Sequence, residues 1–113
     1  MNKTILKPVI NQLEAYNNRD IDQFILNFSE ECIVEDGLGN VLMVGREAMY
    51  VSYGEMFAKS PDLYCNIVSR VVVGNYVLDE ERVTGRGGIL EESHVVAVYR
   101  VESEQIVHVR FLK

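Results

Sequence analysis

A chain of 113 residues, 48% hydrophobic and 25% charged, has the size of one domain and buries about two thirds of its unfolded surface, so it folds without a disulfide or metal staple. Its 17 acidic and 11 basic side chains give a net charge of −6, and the basic ones are scattered, which excludes the clustered cationic surface that a nucleic-acid partner needs. Apolar runs such as Val71-Val72-Val73 are far too short to span a bilayer.

The opening Met1-Asn2-Lys3-Thr4-Ile5-Leu6 lacks a long apolar core followed by a cleavage site, so the default expectation is a cytoplasmic protein. Ile5, Leu6, Val9, Ile10, Leu13 and Tyr16 recur at helical spacing and predict an amphipathic helix over 4–17, with Pro8 tolerable near its first turn and Asn17-Asn18 ending it. Asp20 followed by Gln23 is a capping-box pattern that opens a second short helix, with Ile21, Phe24, Ile25 and Phe28 on its apolar side. Residues 32–36 and 41–44 are β-branched or apolar and flank Gly37-Leu38-Gly39-Asn40, a small hairpin with Asp36 at its rim. A third helix runs from about Arg46 to Lys59, with Met49, Tyr53, Met56 and Phe57 on one side, and Ser60-Pro61 stops it.

From Leu63 the pattern changes to period two, broken by turn signals at Gly74-Asn75, Gly85-Arg86-Gly87-Gly88 and Ser103-Glu104-Gln105. The result is a meander of about four long strands. Helices followed by such strands predict one α+β domain over 1–113, three N-terminal helices covering the concave face of a cone-shaped, curved antiparallel sheet, plus the small hairpin. By alternation, Leu63, Cys65, Ile67, Val71 and Val73 form one face and Tyr64, Val68 and Val72 belong to the other. Both faces are partly apolar, so a second copy is expected on the face that the helices leave open, giving a homodimer. His94, sharing parity with Val96 and Val98, and His108, sharing it with Ile106, are assigned to that face. Cys32 and Cys65 lack zinc-site spacing and read as reduced, small core residues; no metal ligand set is evident.

The stretch Asn17-Asn18-Arg19-Asp20-Ile21-Asp22, then Phe28, then Val34-Glu35-Asp36 with Gly39 behind it, resembles the ketosteroid isomerases and the polyketide cyclase (SnoaL)-like proteins of the nuclear transport factor 2-like superfamily. The resemblance runs without gaps from the first helix to about Gly85. It implies a pocket at Asp36, which matches the proton-shuttling aspartate of the isomerases, and chemistry that uses no cofactor. Two familiar hydrogen-bond donors do not carry over: the helix-1 tyrosine falls at Gln12 and a second aspartic acid falls at Ala97. Tyr53 matches the supporting tyrosine, and Tyr16 stands one turn beyond Gln12. Steroid isomerisation by the usual mechanism is therefore not expected, since losing one oxyanion donor costs ~2.7–4 kcal/mol of transition-state stabilisation.

In Tyr76–Thr84, Glu80 and Arg82 share parity with Leu78, and the resemblance puts that face inside the pocket, with Arg82 placed to hold a carboxylate or other oxyanion. The opposite parity points Asp79 and Glu81 inward and leaves Glu80 and Arg82 in solvent. Two functional readings result. One is a cofactor-free isomerase, cyclase or hydratase: Asp36 is the acid–base group, Tyr16 or Tyr53 donates a hydrogen bond, Arg82 and Glu80 engage a small apolar or partly polar molecule, and Met56, Phe57, Tyr99 and Phe111 surround it. The other is a binding module that holds a small molecule, or a protein partner through the sheet, without catalysis.

Overall fold

Helix α1 (Lys3–Asn17) opens a computed structural model that describes residues 3–113. Met1 and Asn2, read above for an export leader, lie outside the described residues. Pro8 stands in the second turn, where it forfeits only a hydrogen bond to the carbonyl of residue 4. At the far end Asn17 stitches the helix to the sheet: its Nδ2 donates to the Cys65 carbonyl at 3.1 Å and its Oδ1 accepts the Cys65 N–H at 2.7 Å. Helix α2 (Ile21–Ile25) is capped as its sequence predicts, Asp20 Oδ1 accepting the Gln23 N–H at 3.2 Å. It ends before Phe28, which instead begins strand β1 (Phe28–Asp36). β2 (Val41–Val44), α3 (Gly45–Ala58), β3 (Tyr64–Val73), β4 (Tyr76–Thr84), β5 (Ser93–Glu102) and β6 (Gln105–Leu112) follow.

The fold is α+β with a curved sheet covered on one face by the helices, as expected. The hairpin is not separate, however. β1 joins β6 in parallel, so the order β2-β1-β6-β5-β4-β3 makes one six-stranded mixed sheet. Two irregularities also reset the alternation of side chains. Between Ile67 and Ser69 the β3–β4 register shifts, so Cys65 and Ile67 face the helices while Val71 and Val73 face outward, where one common face was expected. Between Arg100 and Val101 the β5–β6 register shifts, so Ile106 is buried beneath the helices and His108 lies on the outer face beside Glu35; they do not share a side.

The core lies between the helices and the sheet. Phe24, 1% exposed, packs its ring against Phe28, Tyr53 and Phe57 with centroids 4.9, 4.7 and 5.5 Å away. Truncating a side chain so enclosed typically costs ~3–5 kcal/mol. Cys32 and Cys65 are buried and unbridged. Among the described residues no helix is long and apolar enough to cross a membrane.

Candidate active site

Between α1, α3 and the helix-facing side of the sheet the core opens into a cavity of about 620 Å³. Its deep end is made by residues almost fully buried: Gln12, Cys65, Glu81 and Tyr99. Leu13, Met43, Met56, Val109 and Phe111 form the apolar walls, and exposed Leu38, Arg86 and Lys113 stand at the mouth. A mostly apolar chamber with a few convergent polar groups is the usual form of a small-molecule site.

The polar end originates in β4. Val77, Asp79, Glu81 and Val83 face the helices there, which reverses the expected placement: Glu80 and Arg82 point away from the cavity. Glu80 accepts the Ser69 hydroxyl at 2.8 Å and meets His94 Nε2 at 2.7 Å, while Arg82 donates to Glu92 at 3.1 Å. The physical reason is partnering across the hairpin. Arg70 stands opposite Asp79 in register and clamps it with Nε at 2.6 Å and Nη2 at 2.9 Å, which lets a completely buried carboxylate persist.

Glu81 has no such clamp. Burial, reinforced by the negative charge of Asp79, pushes its carboxyl up to about 7, against hydrogen bonds from the Cys65 thiol and the Tyr99 hydroxyl that favour the charged form. Tyr99 Oη lies 3.5 Å from Glu81 Oε2 and accepts the Gln12 amide at 3.1 Å, and the same Gln12 nitrogen donates to the Val9 carbonyl at 3.0 Å. With its oxygen occupied as an acceptor, the Tyr99 hydroxyl directs its proton at Glu81. Burial also raises the hydroxyls of Tyr16, Tyr53 and Tyr99, so all three remain protonated donors near neutrality. Tyr16 and Tyr53 line the cavity, and no buried side-chain nitrogen or oxygen lacks a partner among the described residues.

Asp36 lies at the rim, and its carboxylate is occupied by its own turn. Oδ1 accepts the Leu38 and Asn40 N–H groups, each at 2.9 Å, and Oδ2 accepts the Asn40 side-chain amide at 3.0 Å. These bonds, foremost those from Asn40, hold the carboxyl below its ordinary value. Of the other expected pocket residues, Tyr16, Tyr53, Met56, Tyr99 and Phe111 line the cavity; Phe57 does not, being part of the aromatic core, its ring set edge-on to Tyr16 at 5.4 Å. Gln12 and Ala97, where donors were missing, prove informative. Ala97 pairs directly with Asp79 across β4 and β5, so the buried carboxylate beside it belongs to the neighbouring strand, whose Glu81 two residues on is the one that lines the cavity, and Gln12 positions a tyrosine instead of being one. Among the described residues no group of three His, Cys, Asp or Glu side chains is placed to hold a metal ion.

Comparison with known proteins agrees with this architecture. The SnoaL-like domain family matches residues 9–109. An uncharacterized cystatin fold protein from Novosphingobium aromaticivorans superposes with a TM-score of 0.89 at 29% identity, over 96% of this chain and 97% of that one. An LEH-like epoxide hydrolase of M. tuberculosis superposes with a TM-score of 0.84 at 18% identity, over 97% and 82% of the two chains. A protein of ketosteroid isomerase-like fold from Catenulispora acidiphila, in complex with trimethylamine, gives a TM-score of 0.75 at 18% identity over 93% and 83%. No curated protein matches the sequence.

Proposed function

The chain belongs to the SnoaL-like domain family, and we propose that it is a cofactor-free acid–base enzyme in which Glu81, not Asp36, moves the proton. The observation that carries this reading is a carboxyl displaced to about 7 at the closed end of an apolar cavity, with a hydroxyl aimed at it. A general acid or base works best when its pKa lies near the working pH, because enough of the reactive form is present without loss of driving force. Asp36 fails that criterion: its oxygens already accept three hydrogen bonds and its carboxyl is stabilised as the anion.

The substrate is a small, largely apolar molecule with a carbonyl or comparable oxygen function at the polar end. The hydroxyl of Tyr16 or Tyr53 donates to that oxygen and disperses the charge that develops on it. Glu81 removes a proton from the adjoining carbon and returns it at another position, which isomerises the skeleton or sets up ring closure. The Val9–Gln12–Tyr99 chain holds the carboxylate as its charge changes. We also propose that a second copy covers the outer face, where Val71, Leu78 and Val98 are aligned neighbours on three adjacent strands.

The proton-transfer step is testable without the natural substrate. 5-Nitrobenzisoxazole opens to a coloured cyanophenolate when a base removes the single C–H proton of its isoxazole ring, the C–H electrons forming the nitrile as the N–O bond breaks to phenolate, and it fits an apolar cavity. Wild type is expected to accelerate the opening, Asp36→Asn to retain the rate and Glu81→Gln to lose it. Equal rates for Glu81→Gln and wild type would dismiss the reading, and no acceleration by wild type would favour a binding module in the same fold.

A further inference from the structure

Arg86 differs from every other arginine in the chain. Arg19 and Arg46 donate to backbone carbonyls, and Arg70, Arg82, Arg100 and Arg110 to carboxylates. Among the described residues the Arg86 guanidinium has neither a hydrogen bond nor an ion pair, although the residue lines the mouth of the cavity. Its charge reaches inward, since it lowers the hydroxyls of both Tyr16 and Tyr53 against the effect of burial.

The segment that carries it is fixed. Gly85 has φ +77°, and a Cβ there would lie 2.3 Å from the Asp62 carbonyl oxygen, so the backbone closes against Asp62 with room for no side chain. Two residues on, the Gly87 N–H donates at 2.7 Å to Ser60 Oγ, and the buried Ser60 hydroxyl donates to the Met56 carbonyl at 2.6 Å. Arg86 is therefore presented from a pinned 3-10 turn (Arg86–Gly88) beside α3. A recess of about 420 Å³ adjoins the main cavity at Ser52, Met56, Arg86 and Ser93 and leaves space around the guanidinium. Glu55, Lys59 and Glu91 line that recess too, and neither carboxylate pairs with Arg86.

We infer that the substrate carries a carboxylate, which Arg86 holds at the mouth while the reacting oxygen function reaches the Glu81 end. This inference rests on the cavity being the acid–base site proposed above. The guanidinium offers a planar pair of donors that matches a carboxylate in two parallel hydrogen bonds. Spacing agrees: Glu81 precedes the end of β4 by three residues, ~10 Å at the rise of a strand, and Arg86 follows just beyond, a span suited to a molecule with polar groups at both ends. The chain is otherwise acidic, with a net charge of −6, so an anionic substrate requires such a local cation.

The test is binding of a matched pair by titration calorimetry: 4-phenylbutyrate and its neutral isostere 4-phenylbutyramide. Wild type is expected to prefer the carboxylate roughly tenfold or more, the value of charge-assisted hydrogen bonds. Arg86→Gln should bring the two affinities together without weakening the amide, and Lys113→Gln and Lys59→Gln, which remove the other cations lining the main cavity and the recess, should each keep the preference. Equal affinities in wild type, a preference that survives Arg86→Gln, loss of preference in Lys113→Gln or Lys59→Gln, or no binding of either probe at millimolar concentration would each overturn the inference. Binding does not require proton transfer, so an active Glu81→Gln alongside a lost preference in Arg86→Gln would remove the catalytic reading and leave the carboxylate site standing.

Discussion

Replacing Glu81 with Gln isolates the energetic cost of the group on which the account depends. A carboxyl that ordinarily titrates at 4.5 is pushed up to about 7 by burial and by Asp79. Below pH 4.5 folded and unfolded chains both hold that proton. Between 4.5 and 7 the unfolded chain releases it while the folded chain retains it, so this group lowers stability as pH rises, and above 7 the full cost is present. At ~1.4 kcal/mol per pKa unit, the difference amounts to about 3 kcal/mol. The amide of Gln fills nearly the same volume and never ionises. Part of that cost is already present at pH 5, so Glu81→Gln should gain about 2–3 kcal/mol relative to wild type between pH 5 and pH 8, which for a domain of this size is roughly 10 °C in melting temperature. Urea unfolding of both proteins at the two pH values measures it. Comparison with the variant cancels the surface carboxylates that work in the opposite direction, among them Glu35, Asp36 and Glu80, which their partners hold below the ordinary value. A stability difference independent of pH would refute the reasoning.

Other consequences can be measured on the same protein. Arg70→Met leaves Asp79 buried and unpaired and should cost about 3 kcal/mol in urea unfolding, whereas Arg70→Met combined with Asp79→Leu should recover most of the loss; a double variant no better than the single one would contradict a buried ion pair. Gly85→Ala places a methyl against the Asp62 carbonyl at positive φ and should destabilise by roughly 1–3 kcal/mol, with a wild-type melting temperature as the contrary result. In sedimentation the wild type should be a dimer at micromolar concentration and Leu78→Glu a monomer that retains its helical circular dichroism; a monomeric wild type would remove the proposed second copy.

Much of the framework was legible because it depends on local rules. The Asp20 cap, the three helices and the Gly74-Asn75 turn all stand where the sequence puts them, each set by capping, periodicity or turn chemistry. The orientation of β4 was legible in principle as well. Counting away from the two-residue turn pairs Val73 with Tyr76 and then Arg70 with Asp79, and the arginine's presence opposite the aspartate supplies the reason that this face can be buried. The resemblance instead put the face shared by Leu78, Glu80 and Arg82 inside the pocket, with the opposite parity as the alternative. The register shifts after Ile67 and Arg100 were not legible, because nothing in the residues themselves requires an extra one there. Nor was the parallel β1–β6 pairing, which joins segments more than 70 residues apart. Asp36 was recognised by its position in the chain, but its carboxylate is engaged by Leu38 and Asn40 through turn geometry that sequence spacing does not reveal.

The most direct test of Glu81 as the proton-transferring group is the pH–rate profile of 5-nitrobenzisoxazole opening. A base must be ionised to act, so the rate catalysed by wild type should rise with pH and level off around an inflection near 7, and Glu81→Gln should show no such rise. An inflection in the acid range, below the ordinary aspartate value where Asp36 is held, or the same profile in Glu81→Gln, would contradict it.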